Sequence, residues 1–178
     1  MGNEIKRGLN IGSGQRPFTS TPEVEWCNVD KIAHEGMPAP DLISDGEYLP
    51  FSDESADYFV LNHVYEHFGL GEADGLVKEA FRVLRPGGSL IVTIPNIRAL
   101  AKGFLEGRLD TTTYAITLYG AFMGHDEDRH KFGYDIETLR KALGAPVNWS
   151  QIKDFDWRDI PGSSIPRDWW IGGVECVK

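Results

Sequence analysis

The sequence lacks features that would tie it to a membrane or to an oxidising compartment. It has only two cysteines, Cys27 and Cys176, which lie in apolar stretches far apart in the chain. This is typical of buried thiols in a reducing compartment. No apolar run approaches the length of a membrane span, and the N-terminal stretch "MGNEIKRGLN" lacks the apolar core of a secretory signal. These features predict a cytoplasmic protein that does not associate with a membrane.

Basic residues are also scarce. The chain has 18 Lys and Arg against 27 Asp and Glu, so its net charge of -9 would repel a phosphate backbone. We therefore expect no nucleic-acid partner. A chain of 178 residues is long enough to bury the core of one domain. We expect a single domain over residues 1–178, and the sequence gives no indication of its oligomeric state.

The apolar pattern predicts strands alternating with helices. Short apolar runs predict five strands, at residues 7–11, 26–29, 41–44, 56–62 and 89–94. Spacing of apolar residues predicts helices over 73–84, ended by "RPGG", and over 135–144, with Asp135 as the N-cap. Residues 151–157 and 169–178 are expected to pair as an antiparallel hairpin. Strands that are apolar on both faces indicate an α/β protein with a mainly parallel sheet covered by helices.

Two connections between these elements have unusual lengths. Few residues separate Gly14 from Trp26, and Pro17 and Pro22 are among them, so the first helix must be abbreviated or replaced by a loop. Residues 96–134 instead form a long insert after the fifth strand. Insertions at strand ends commonly act as lids or binding loops, so we expect this insert to contact the substrate.

The stretch "LNIGSGQRPF" predicts a ligand-binding turn at the end of the first strand. Gly12 and Gly14 would let the backbone approach a ligand closely, and Asp30 ends the second strand, where an acid can accept hydrogen bonds from both hydroxyls of a ribose. A dinucleotide-binding turn would have a third glycine where Pro17 stands. The pattern therefore favours a nucleoside without a pyrophosphate, although a G-x-G sequence alone also fits an ordinary strand-to-loop turn.

Several motifs together carry a family resemblance. "LNIGSG" with "NVD", then "SDGEYLPFSDESADYFVLNHVYEHF" and "FRVLRPGGSLIVTIPN", resemble successive motifs of the class I S-adenosylmethionine-dependent methyltransferases, especially the small type 11-like group. The resemblance covers residues 7–96 closely and 130–143 more loosely. It implies a Rossmann-like three-layer sandwich with a seven-stranded sheet. It also implies an enzyme that binds S-adenosyl-L-methionine and releases S-adenosyl-L-homocysteine.

The resemblance also assigns cofactor-binding residues. The glycine loop, Gly12 to Gly14, would pass beneath the methionyl and ribose groups of the cofactor. Asp30 would accept hydrogen bonds from the ribose, Asp45 would accept one from the adenine amine, and Asn62 would face the methionine. Asn10 departs from the family, which commonly has an acid there that contacts the methionyl amine. The full expected set is Gly12, Ser13, Gly14, Asp30, Asp45, Gly46, Glu47 and Asn62.

The acceptor is less constrained than the cofactor. The chain lacks the N-P-P-[FY] tetrapeptide of enzymes that methylate amino groups of nucleic acids, which favours oxygen on a small molecule or a glycan. Methyl transfer to oxygen needs a group that takes a proton, and imidazole titrates near neutral pH. His67, His63 and His130 are therefore the candidate catalytic residues.

Two alternative functions remain open. "HVYEH" fits the zinc-peptidase pattern H-x-x-E-H, in which His63 and His67 would bind zinc and Glu66 would activate water. That pattern requires a helix, and "FGLG" directly after it would break one, so we expect no metal site. The other alternative is a non-catalytic module that binds a nucleoside, because Asn10 and the shortened first helix depart from the family.

Overall fold

A computed structural model describes residues 4–33, 35–36, 38–121, 126–163 and 168–178. The strands are β1 (Lys6–Ile11), β2 (Val24–Asp30), β3 (Leu42–Ile43), β4 (Ala56–Asn62), β5 (Leu84–Pro95), β6 (Gln151–Asp154) and β7 (Ile171–Val177). The α-helices are α1 (Asp74–Val83), α2 (Ile97–Leu105), α3 (Thr111–Tyr119) and α4 (Ile136–Gly144). Short 3-10 turns span Tyr65–His67, Asp126–Asp128 and Trp157–Asp159. Within these ranges no helix has the length and apolar character needed to span a membrane.

The seven strands form one sheet in the order β3-β2-β1-β4-β5-β7-β6. Strands β1 to β5 are parallel, whereas β7 is antiparallel to both β5 and β6. The expected Rossmann-like α/β fold with an antiparallel C-terminal pair is confirmed. The sequence did not reveal that β7 inserts between β5 and β6, so that the pair joins the sheet through its second strand.

The two faces of the sheet are covered differently. Alternate residues of the central strands, such as Phe59 and Leu61 of β4, pack with buried residues of α1 and α4. The residue between them, Val60, faces the other side and packs in a smaller cluster with Phe18 and Ile160, which lie in loops. The sandwich therefore has three layers, with helices on one face and loops over much of the other.

The connection from β1 to β2 contains no helix. Residues 12–23 form turns and extended chain around Pro17, which cannot continue a helix. Buried Asn28 holds this loop: its Oδ1 accepts from the Phe18 amide (2.7 Å) and from Asn10 Nδ2 (2.9 Å), and its own amide donates to the Phe18 carbonyl (3.1 Å). Of the two alternatives, an abbreviated helix is therefore wrong and the loop replacement is observed.

The "RPGG" stretch differs from the prediction. We expected it to be a turn between the helix and the fifth strand, but β5 begins at Leu84, directly after α1. Leu84 pairs with Ala56, and the register shifts before Ser89 pairs with Tyr58. Gly87 has φ +81°, a conformation that glycine adopts without strain. The strand thus contains an irregularity where the sequence suggested a break.

The insert over residues 96–134 contributes two helices in its described part. Asn96 caps α2 by accepting from the amides of Arg98 and Ala99, and Asp110 caps α3 by accepting from the Thr113 amide. None of the side chains of α3 is buried. Residues 122–125 of the insert lie outside the described part of the chain.

Candidate functional site

A cavity of about 500 Å³ opens at the carboxyl ends of β1, β2 and β4. Its wall includes Gly12 after β1, Asp30 at the end of β2, His63 after β4, and residues 44–47 from the loop after β3. Strands β1 and β4 are neighbours in the sheet, and the chain order reverses between them. Open α/β sheets bind ligands at this position, so the cavity is the candidate site.

Asp30 organises the glycine loop at this edge. Its Oδ2 accepts a hydrogen bond from the Gly14 amide (2.7 Å), and its Oδ1 accepts from the Ile32 amide (3.1 Å). Each carboxylate oxygen can accept a second bond, so Asp30 keeps capacity for ligand hydroxyls while it lines the cavity. Gly12 has φ +65°, and a Cβ there would lie 2.5 Å from Val64 Cγ2. Glycine is therefore required at this position for both conformation and space.

The expected adenine segment forms another part of the wall. Asp45, Gly46 and Glu47 all line the cavity, and Asp45 Oδ1 accepts from the Glu47 amide at 3.1 Å, which fixes a tight turn. A Cβ on Gly46 would approach side chains of Ile11 and Leu76 at 2.9 Å each. The turn therefore packs closely over an apolar floor.

Three expected cofactor residues lie outside the cavity wall. Ser13 is buried. The Gly14 amide donates a hydrogen bond to Asp30, which does line the cavity. Asn62 Oδ1 accepts from the Thr93 hydroxyl at 2.8 Å, so this side chain is engaged by the neighbouring strand. Asn10, which departs from the family pattern, does not line the cavity, and its side chain donates to Asn28.

The ionisable groups of the wall are mainly acidic. Five carboxylates and two lysines line the cavity: Asp30, Asp45, Glu47, Asp126, Asp128, Lys31 and Lys131. An acidic wall disfavours a pyrophosphate and suits a ligand with a net positive charge. S-adenosylmethionine carries a sulfonium and an ammonium against one carboxylate, so the residues present fit this cofactor.

Five apolar residues of the wall carry no functional signal in the sequence. Ile11, Val64, Phe68 and Leu76 line the cavity together with Ile32. In the sequence these residues look like ordinary core residues, because apolar residues of the wall and of the core occur in the same apolar patterns. Only their place beside the glycine loop distinguishes them, and that place follows from the sheet order.

His63 occupies a constrained position on the wall. Its φ is +56°, one of two positive values for residues other than glycine in the described chain. Such conformations concentrate at functional sites. Its Nδ1 lies 3.2 Å from Oε1 of Glu66. If Nδ1 carries the proton that Glu66 accepts, Nε2 is left as a hydrogen-bond acceptor.

The buried carboxylate of Glu66 lies among three histidines. Glu66 is 2% exposed, and its Oε1 lies 3.9 Å from His130 Nε2 in addition to the contact with His63. Burial raises the pKa of Glu66, but the hydrogen bond from His63 and the electrostatic interaction with the nearby imidazoles outweigh it, so the net direction is downward. Burial lowers the pKa of His130, and the negative charge of Glu66 only partly offsets this.

The structure brings the candidate histidines together but places them differently. His63 and His67 line the cavity, whereas His130 lies behind His67, with ring centroids 4.9 Å apart. "HVYEH" follows β4 and ends in the 3-10 turn Tyr65–His67, so residues 63–67 do not form the α-helix that the zinc-peptidase pattern requires. The turn leaves Glu66 buried, in contact with His63, rather than open to a water molecule in the cavity.

The sheet order and this cavity define a Rossmann-like protein with a candidate ligand site at the point where the strand order reverses. A family profile described as a methyltransferase domain, type 11, matches residues 24–92. The ubiquinone/menaquinone biosynthesis C-methyltransferase UbiE of Neisseria meningitidis serogroup C is 35% identical over 125 residues, covering 64% of this chain and 48% of that protein. The 2-methoxy-6-polyprenyl-1,4-benzoquinol methylase of Dictyostelium discoideum is 23% identical over 159 residues, covering 87% and 42%. The chain thus spans about half the length of the curated relatives it matches.

Solved structures share the fold at lower identity. A SAM-dependent methyltransferase from Archaeoglobus fulgidus superposes with a TM-score of 0.59 at 16% identity, covering 99% of this chain and 88% of that one. A putative O-methyltransferase from Nostoc punctiforme gives a TM-score of 0.60 at 15% identity, covering 99% and 53%. By sequence and fold together, the predicted resemblance of the chain to the class I S-adenosylmethionine-dependent methyltransferases is confirmed. This is a class of enzymes whose cofactor is S-adenosylmethionine, as the sequence motifs predicted.

Proposed function

We propose that the chain transfers the methyl group of S-adenosylmethionine to a small molecule that carries an acidic hydroxyl group, such as a phenol or an enol. One observation carries the proposal. The same cavity is lined by Asp30 and Asp45, suited to the nucleoside, and by His63, suited to the acceptor. Cofactor and acceptor would therefore meet at the carboxyl end of β4.

Side chains that line the cavity support the cofactor part of the proposal. Asp30 would accept from the ribose hydroxyls with the lone pairs that Gly14 and Ile32 leave free. Asp45 would accept from the adenine amine, above the apolar side chains of Ile11 and Leu76. The acidic wall would favour the positive charge of the sulfonium and ammonium groups.

The acceptor half depends on His63. The sulfonium methyl is already activated, so the protein needs to align the acceptor and to take its proton. Alignment contributes at most about 7–11 kcal/mol in well-oriented reactions, and a positioned base contributes about 10²–10⁴-fold. Glu66 holds the His63 ring through Nδ1, which leaves Nε2 for the acceptor hydroxyl. His67 lies on the same wall, and His130 supports it from behind.

Deprotonating such a hydroxyl creates a nucleophile at the oxygen and at a conjugated carbon. The sequence motifs favoured oxygen, whereas the relatives from Neisseria are named as C-methyltransferases. Reaction with cofactor carrying a 13C-labelled methyl group, followed by NMR of the product, separates O-methyl from C-methyl products. A C-methyl product would correct the oxygen expectation and leave the remainder of the proposal intact.

Cofactor binding is the first experiment. Titration calorimetry with S-adenosylmethionine and S-adenosylhomocysteine should detect binding that Asp30→Ala weakens by at least 10–100-fold, because each hydrogen bond to a charged group contributes about 1.5–3 kcal/mol. Glu25→Ala is the matched control, since it removes one exposed negative charge from the same strand. It should leave the affinity unchanged.

Three outcomes would count against the proposal or a part of it. No binding to the wild-type chain at millimolar cofactor would refute the cofactor assignment. Binding without turnover against a broad set of phenols and enols would instead favour the non-catalytic binding module. Turnover that survives His63→Ala within a factor of ten would remove His63 from its proposed role.

A further inference from the structure

A second group of side chains extends from the cavity wall into the protein behind it. Glu66, His67 and His130 each offer one ligand atom, and these atoms all lie within 4.8 Å of one another. The first two lie on the 3-10 turn after β4, and His130 precedes α4. The Glu66 carbonyl accepts from the amides of Lys131 (2.9 Å) and Phe132 (3.2 Å), which joins the two segments by their backbones. The cluster is therefore built into the fold.

Two polar atoms of this cluster are buried without a partner. In the part of the chain that the structure describes, Glu66 Oε2 and His67 Nδ1 are buried and have no hydrogen bond. Glu66 Oε1 faces His63, so Oε2 is the oxygen that lacks a donor. Leaving buried polar atoms unpaired costs free energy, and a buried carboxylate is especially costly. A cation held by this cluster would supply the partner that buried atoms of Glu66 and His67 lack.

The donor set indicates the kind of cation. Two imidazoles and one carboxylate suit a divalent transition metal such as Zn²⁺, whereas Mg²⁺ and Ca²⁺ prefer oxygen ligands alone. Ligand atoms on a tetrahedral zinc ion lie about 3.4 Å apart, so movements on the order of 1 Å would close the present spacing. The ring of His130 is hydrogen-bonded to the backbone of Leu118, the kind of outer contact that orients metal-binding histidines.

We propose that Glu66, His67 and His130 form a site for one divalent transition metal ion next to the methyltransferase cavity. This ligand set differs from the H-x-x-E-H pattern, since it uses Glu66 as a ligand and leaves His63 out. Three protein ligands leave one position open, and His67 lines the cavity. An acceptor oxygen would bind at that open position. This last role rests on the proposed function, whereas metal binding does not.

The test uses the full chain after treatment with a chelator. Equilibrium dialysis against micromolar Zn²⁺ with elemental analysis should find one ion per chain, and Zn²⁺ should raise the melting temperature. Co²⁺ should give the visible absorption of a four-coordinate nitrogen and oxygen site. Glu66→Gln and His130→Ala should each weaken Zn²⁺ binding by at least 100-fold. His63→Ala should weaken it by less than tenfold.

The variants distinguish the possible outcomes. Circular dichroism of the metal-free proteins checks that each variant folds. If Glu66→Gln does not fold, His130→Ala still tests the proposal. Absence of stoichiometric Zn²⁺, or binding that His130→Ala leaves unchanged, would overturn the proposal. Binding lost in His63→Ala and kept in His130→Ala would assign the metal to the H-x-x-E-H set instead. S-adenosylmethionine affinity measured without metal reports separately on the proposed function.

Discussion

Replacing Asn28 with alanine tests how the loop that takes the place of the first helix is held. Asn28 is 7% exposed and makes hydrogen bonds to Asn10, to both backbone groups of Phe18, and to Asp41. Alanine would leave the buried Phe18 amide without an acceptor and would remove the stronger partner of the Asn10 amide. Each buried donor left unpaired costs about 1–3 kcal/mol. We expect the free energy of unfolding to fall by about 2–4 kcal/mol.

Urea denaturation followed by circular dichroism measures this change, and a thermal melt should show a fall of about 5–15 °C for a domain of this size. Asn148→Ala is the control, because Asn148 is exposed between α4 and β6 and exposed substitutions usually stay within about 0.5 kcal/mol. The loop carries Gly14, so calorimetry should also show weaker S-adenosylmethionine binding in Asn28→Ala alone. If Asn28→Ala unfolds within about 0.5 kcal/mol of the wild type, the asparagine network does not hold this loop.

Two further predictions concern other positions. Gly12→Ala should cost about 1–3 kcal/mol and abolish cofactor binding, since its φ is +65° and its Cβ would overlap Val64. Gly71→Ala has a similar φ of +81° with nothing within 4 Å of its Cβ, so urea melts should show the backbone cost while calorimetry shows unchanged binding. Asp135→Ala should lose about 1 kcal/mol in urea melts at pH 7, because Asp135 caps α4 through the Thr138 amide. That hydrogen bond helps lower the pKa of Asp135 to about 2, so the stabilisation by the ionised carboxylate is present above about pH 4. The difference in unfolding free energy between wild type and variant should therefore close as the pH falls towards 2. A difference that persists at that pH would contradict the capping role of Asp135.

The sequence predicted best where the deciding interactions are local. Strand β4 has the predicted bounds, Ala56–Asn62, because turn residues flank a continuous apolar run. Asp135 caps α4 as expected, since capping involves residues three apart. Asp30 and Asp45 line one cavity because Asp30 ends β2, Asp45 follows β3, and the carboxyl ends of these two parallel strands share an edge. Their roles towards the cofactor remain predictions.

Features that depend on distant contacts were not predictable. The engagement of Asn62 by Thr93 requires the pairing of β4 with β5. The meeting of Glu66 with His130 requires two backbone hydrogen bonds between segments that are far apart in sequence. "RPGG" reads locally as a turn, but pairing of Leu84 with Ala56 draws it into the sheet. In each case the long-range pairing outweighs the local preference.

The position of β7 has a consequence for how the chain reaches its native state. Strand β5 pairs with β4 along one side, and its other side is covered by β7, which follows much later in the sequence. While the chain emerges from the ribosome, the apolar segment from Leu90 to Ile94 therefore has an open edge until residues 171–177 have been made. Open apolar edges recruit strands from other chains. Substitutions that weaken β7 are accordingly expected to reduce the yield of soluble protein during synthesis, even where the finished fold tolerates them.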